Sequence, residues 1–66
     1  MAVEVNGSPA HLPPSSTVTD VVDRWCSSPE GIAVARNRQV VPRSQWASEV
    51  LADGDRVEIV TAAAGG

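Results

Sequence analysis

The chain has 66 residues, 42% of them hydrophobic and only 3% aromatic. A chain this short buries about 60% of the surface it exposes when unfolded, enough for one domain and one core but not for a deep catalytic cleft. Five basic residues, all arginine, stand against eight acidic ones, for a net charge of -3; this argues against a nucleic-acid binder, which needs a basic face, and suits a partner with a basic docking surface.

Taken in chain order, Val3 and Val5 alternate with Glu4, the period of a half-buried strand. Asn6-Gly7 follows, a dipeptide that tolerates the positive φ angles of a tight hairpin turn. Ala10–Leu12 reads as a short returning strand, weakened at its start by Pro9 and stopped by Pro13-Pro14, which lack the N–H a sheet requires. Thr17 and Asp20 have the spacing of a helix capping box. Val18, Val21, Val22 and Trp25 then fall at i, i+3, i+4 and i+7, one apolar stripe on a helix from Thr17 to Ser27. Asp20, Asp23 and Arg24 lie off the stripe. Ser27-Ser28-Pro29 ends the helix and Gly31 opens the next element.

Ile32–Arg36 is small and β-branched, the composition of a strand. Asn37-Arg38 offers a turn, and Gln39–Val41 a short returning strand that stops at Pro42. Ser44 to Leu51 carries Trp46, Val50 and Leu51 at helical separations, over too few residues for more than one or two turns. Asp53-Gly54 marks a turn. Arg56–Thr61 is the clearest strand, with Val57 and Ile59 on one face and Arg56 and Glu58 on the other. The order predicts an α+β domain: a mixed sheet of four to five strands with one main helix packed on one face. The β-grasp architecture has this order.

After the last strand come Ala62-Ala63-Ala64-Gly65-Gly66, with no side chain larger than a methyl. The organisation expected is a domain over residues 1–61 and a flexible C-terminal tail over 62–66. Gly65 and Gly66 have no Cβ, so extended or positive-φ conformations carry little steric penalty. Five residues reach at most about 16–18 Å. Such an arm can enter a narrow tunnel in a partner while the globular part stays outside, and it delivers an unhindered carboxylate. A carboxylate is a poor electrophile, so a partner has to activate it, most simply as an acyl-adenylate formed from ATP.

Here the sequence resembles a known family, the ThiS-type sulfur carriers of thiamine biosynthesis, which are ubiquitin-like β-grasp proteins. The resemblance rests on VARNRQVVPRSQW (Val34 to Trp46), LADGDRVEIV (Leu51 to Val60) and TAAAGG (Thr61 to Gly66). It implies that an ATP-dependent adenylating enzyme activates the Gly66 carboxylate. Sulfur then arrives as a persulfide, by way of a cysteine desulfurase or equivalent donor. It displaces AMP and leaves a C-terminal thiocarboxylate, which thiazole synthase uses to build the thiazole ring. Gly66 bears the sulfur, and Gly65, Ala64 and Ala63 enter the partner. The carrier is a protein substrate, not a catalyst, with no bound cofactor or metal; ATP is used by its partner. The Arg36-Asn37-Arg38 turn is more basic than the family pattern. Three other readings share these features: the small subunit of molybdopterin synthase, a lysine-conjugated modifier, and a β-grasp interaction module with an inert tail.

The remaining reactive residues read as structural. Cys26, the one cysteine, lies beside the helix stripe, where a free thiol packs as a small hydrophobe; it can form no internal disulfide. With the single histidine, His11, it falls short of the four ligands of a structural zinc site. His11 reads as an edge residue and not a general base. Trp25 and Trp46 read as core, and Asp53 and Asp55 as turn formers on a solvated rim. No signal peptide is expected at the N-terminus, and no stretch approaches the roughly 20 apolar residues of a membrane span. A reducing cytoplasm is the expected location, with neither nucleic acid nor membrane as partner.

Overall fold

The structure, a computed structural model, describes residues 1–26 and 30–61. The elements run β1 (Ala2–Val5), β2 (Ser8–His11), α1 (Val18–Trp25), β3 (Ile32–Arg36), β4 (Gln39–Val41) and β5 (Arg56–Thr61), with a 3-10 turn at Arg43–Gln45. The strands form one sheet in the order β2-β1-β5-β3-β4. β5 lies between β1, to which it is parallel, and β3, to which it is antiparallel. This is the β-grasp arrangement the element order predicts.

Both hairpins turn on asparagine. Asn6 (φ 52°) and Gly7 (φ 82°) join β1 to β2, and Asn37 (φ 50°) and Arg38 (φ 70°) join β3 to β4. Two consecutive left-handed residues give the turn that matches the twist of the flanking strands. Asn tolerates this region well and Gly without a Cβ penalty, whereas Arg38 occupies it against its own preference.

The second strand is Ser8–His11, two residues earlier at its start than the pattern Ala10–Leu12 suggests, and it includes Pro9. Met1 and Leu12 exchange both backbone hydrogen bonds, at 2.7 and 2.9 Å. Bonded and unbonded pairs alternate along an antiparallel ladder, so the Glu4–Pro9 pair is an unbonded one. The nitrogen of Pro9 therefore faces away from β1. Its missing N–H takes nothing from the ladder and blunts the open edge of the sheet.

The helix begins with the expected capping box. Thr17 Oγ1 accepts from the Asp20 N–H at 3.3 Å, and Asp20 Oδ2 accepts from the Thr17 N–H at 2.8 Å. The next two free N–H groups find distant partners: Val18 donates to the Glu49 carbonyl at 3.1 Å and Thr19 to the Trp46 carbonyl at 3.2 Å. The segment after β4 thus completes the helix start, where backbone donors have no partner within the helix. The 3-10 helix ends at Gln45, but Trp46 keeps helical angles (φ -57°, ψ -40°) and Ser48 and Glu49 donate back to the Gln45 carbonyl at 3.1 and 2.9 Å; beyond these turns Val50 pairs with Thr17 as an isolated bridge. Val50 is consequently exposed while Trp46 and Leu51 are buried.

The core unites Val3, Val5, Val34 and Val57 of the sheet with Val18, Val21 and Val22 of α1, closed by Leu12, Val41, Trp46 and Leu51. Each fully buried Val contributes roughly 1.5–3 kcal/mol of transfer free energy. Trp46 is core, as expected, and its indole N–H donates to the Val41 carbonyl at 2.9 Å. Trp25 is not: it is 42% exposed, with the Arg24 guanidinium 5.9 Å from its ring centre. Helical spacing fixes the angle at which a side chain leaves the helix, but not how far along the axis the core extends. Trp25 is the last residue of α1 and lies past that limit. The helix ends there, so the expected extension to Ser27 fails at Cys26, whose backbone is extended. The proposed stop at Ser27-Ser28-Pro29 lies outside the described residues.

Candidate functional site: the strand that bears the tail

The expected chemistry lies beyond β5 in the chain, and β5 is the strand that leads to it. Val57 is buried and Ile59 packs against the core, which turns Arg56, Glu58 and Val60 to the outer face. On its β3 side the strand is paired from Val57 to Thr61. On its β1 side the ladder covers only Arg56 and Val57.

The two hairpin asparagines hold β5 at these limits. Asn6 donates its N–H to the Val57 carbonyl at 2.9 Å, and its side-chain Oδ1 accepts from the Ile59 N–H at 2.8 Å. Asn37 donates its N–H to the Arg56 carbonyl at 2.8 Å, and its Oδ1 accepts from the Arg56 N–H at 3.0 Å. Sequence identifies both residues as turn formers and misses this second role; an Asn opening each of two hairpins beside one central strand is the signal that was available.

Asp55, just before β5, is buried, where a solvated rim residue is expected. Its carboxylate accepts from Ala52 N–H at 2.7 Å, Arg36 Nε at 2.8 Å and Asn37 Nδ2 at 3.0 Å. Burial works against its charge, but the Ala52 N–H, the Asn37 amide and the Arg36 guanidinium outweigh it and hold the carboxyl below its ordinary range. Arg36 also donates to Glu49 at 3.0 Å. That bond, opposed by desolvation and helped by Asp55, holds the guanidinium above its ordinary value. The basic turn therefore splits: Arg36 is spent inside the fold, and Arg38 is exposed. Asp53 forms its expected turn and accepts the Ala2 N–H at 2.7 Å.

The outer face beside the strand's end is apolar. Val60 lies opposite Ala33, and Ala35 opposite Val40; Val60 and Val40 are 60% and 74% exposed. Glu58, Arg56 and Glu4 flank them, with Arg56 Nε 3.6 Å from Glu4. Cys26 is half-buried against the core, as expected, and His11 is exposed on β2. Among the described residues no group of three or more His, Cys, Asp or Glu could hold a metal ion, and no helix is long and apolar enough to cross a membrane. Ala63, Ala64, Gly65 and Gly66, the residues expected to react or to enter a partner, lie outside the described residues, as does Ala62.

Comparison with known proteins agrees with this architecture. The ThiS family model matches residues 2–66. The sulfur carrier protein ThiS of Escherichia coli is 32% identical over 66 residues, all of both chains. A thiazole synthase of Paramagnetospirillum magneticum is 33% identical over 66 residues, all of this chain but only 20% of that protein. In structure, the chain is similar to the crystal structure of the thiamine biosynthesis protein ThiS from Geobacter metallireducens, with a TM-score of 0.82, 28% identity and 91% of each chain covered. With its sheet order, its core and nearly all of its sequence inside that pattern, this chain belongs to the ThiS family.

Proposed function

We propose that this chain carries sulfur for thiamine biosynthesis on the carboxyl carbon of Gly66, as a substrate of partner enzymes and not as a catalyst. The observation that carries this reading is the family match, which runs through the di-glycine to residue 66. A carrier named for the same role aligns over the whole of both chains.

The chemistry follows from the carboxylate. One of its oxygens attacks the α-phosphorus of ATP in an adenylating enzyme and pyrophosphate leaves. A persulfide, supplied through a cysteine desulfurase or equivalent, attacks the resulting acyl-adenylate at carbon and AMP leaves. A second thiol then cleaves the S–S bond, is itself joined in a disulfide, and releases the thiocarboxylate. Thiazole synthase accepts that sulfur. Two thiazole synthases with a stretch similar to this chain support the last partner. Residues 1–61 serve as the body and residues 62–66 as an arm slim enough to enter an active site. Ala63, Ala64 and Gly65 fit the same narrow passage because none has a side chain beyond a methyl. The apolar outer face at Val60 and Val40 lies beside the base of that arm, where a partner that receives the arm has to sit. A single half-buried thiol fits a reducing cytoplasm.

The test is the intact mass of the chain after incubation with ATP, the adenylating enzyme and a sulfur donor. One oxygen replaced by sulfur in the full chain, and none in a chain lacking Gly66, is expected. No gain, or adducts of the chain with cellular lysines in place of it, would overturn the reading.

A further inference from the structure

β5 is held unequally toward its end. β3 pairs with it as far as Thr61, whereas β1 stops at Val57. Past that point the bond on the β1 side is the one from the Ile59 N–H to Asn6 Oδ1, at 2.8 Å. Asn6 can make it because its backbone is left-handed, φ 52°, and its own N–H is tied to the Val57 carbonyl. The side chain of a turn residue thus continues a ladder whose strand has already turned away.

We infer that Asn6 is a positioning residue for sulfur loading: by closing the β1 side of β5 at Ile59, it fixes the strand from which the arm leaves for the partner. This rests on the carrier reading of Gly66. Each strand residue that comes loose adds to what the partner must order before reaction. A carrier whose competent state is only partly populated binds more weakly in proportion. Loss of the Asn6 bond therefore acts on the KM for the carrier and leaves kcat, which reports the chemistry on bound carrier, in place.

Asn6→Gly keeps the left-handed turn without a Cβ penalty and removes the acceptor. Asn6→Asp tolerates the same backbone and restores an acceptor oxygen. In a reconstituted adenylation and sulfur-transfer assay, at a temperature where both variants are folded, Asn6→Gly is expected to raise the KM for the carrier roughly 3–10-fold, with kcat held within about twofold. Hydrogen exchange at the Ile59 amide speeds up in parallel. Asn6→Asp brings both back toward the parent. A purely structural role lowers the melting temperature but leaves the KM of the folded carrier unmoved, and that result overturns the inference. So does a raised KM that Asn6→Asp fails to rescue, or one without faster exchange at Ile59. A parent chain that gains no sulfur overturns the carrier reading and this inference with it; a parent that reacts while Asn6→Gly matches it overturns this inference alone.

Discussion

Arg36 and Asp55 meet at 2.8 Å between Nε and Oδ2, although 19 residues separate them in the chain. The contact ties the end of β3 to the residue that leads into β5. The same carboxylate receives the Ala52 N–H and the Asn37 amide, so one side chain joins a turn, a hairpin and two strands. Asp55→Ala strands three donors, all of them in partly buried bonds. Leaving such groups unmatched costs about 1–3 kcal/mol. For a domain of this size that is a large fraction of total stability. Urea denaturation is expected to show the midpoint lowered by that free energy divided by the slope, with the slope unchanged. A loss under about 0.5 kcal/mol, the range of ordinary surface substitutions, would mean water replaces the carboxylate without penalty.

The same carboxylate sets an acid limit. Its folded pKa is depressed below its ordinary value, so its contribution is fully present above about pH 4, the unfolded range of Asp. It is lost as pH falls through the depressed value, because the unfolded chain then binds the proton more readily. Stability measured from pH 6 down to pH 2 is expected to fall below about pH 4. Asp55→Asn, less stable at neutral pH, is expected to fall less steeply over that range. Parallel curves for the two chains would show that other carboxylates carry the acid response.

The two tryptophans give opposite expectations. Trp46 is 6% exposed and hydrogen-bonded to Val41, whereas Trp25 is 42% exposed under Arg24. Trp46→Ala opens a core cavity, which costs about 3–5 kcal/mol and leaves little folded protein in a chain of this length. Trp46→Phe keeps most of the volume, loses one buried hydrogen bond, and costs about 1–3 kcal/mol. Trp25→Phe is expected to change stability by less than about 0.5 kcal/mol. The emission of the Trp25→Phe protein, which reports Trp46 alone, is expected at shorter wavelength than the parent and resistant to soluble quenchers. Quenching of that protein as efficient as in the parent would contradict the burial of Trp46.

The elements legible in the sequence are those whose signal is local. Thr17 with Asp20, Asn6-Gly7 and the alternation through Arg56–Thr61 each specify their structure within a few residues. The helix axis was less legible: spacing placed Trp25 on the apolar stripe, and only the extent of the packed sheet decides that the stripe ends before it. Pro9 argued against a strand because its effect depends on which way its nitrogen faces, a matter of pairing phase. Asp55 looked like a turn residue because its partners Arg36 and Asn37 come from another hairpin. The candidate site divides the same way. The expectation of an arm rests on the composition of Ala62–Gly66 alone, which lie outside the described residues, whereas the hold on β5 by Asn6 and Asn37 depends on strands brought together by the fold.

A sulfur carrier with one thiol, Cys26, invites the assignment of sulfur to that thiol. Its side chain packs partly against the core at the end of α1. A persulfide relay through Cys26 would need its sulfur open to a partner's active site, and packing against the core covers part of it. Cys26→Ser is therefore expected to retain sulfur loading at near the parent rate, with a loss of about 1 kcal/mol in stability from placing a hydroxyl against the core. Deletion of Gly66 is expected to abolish loading while leaving stability unchanged, since glycine has no side chain to pack. Thiocarboxylate formation followed by intact mass in the two variants separates the possibilities. Loading that requires Cys26 and survives without Gly66 would move the sulfur from the end of the chain to the helix.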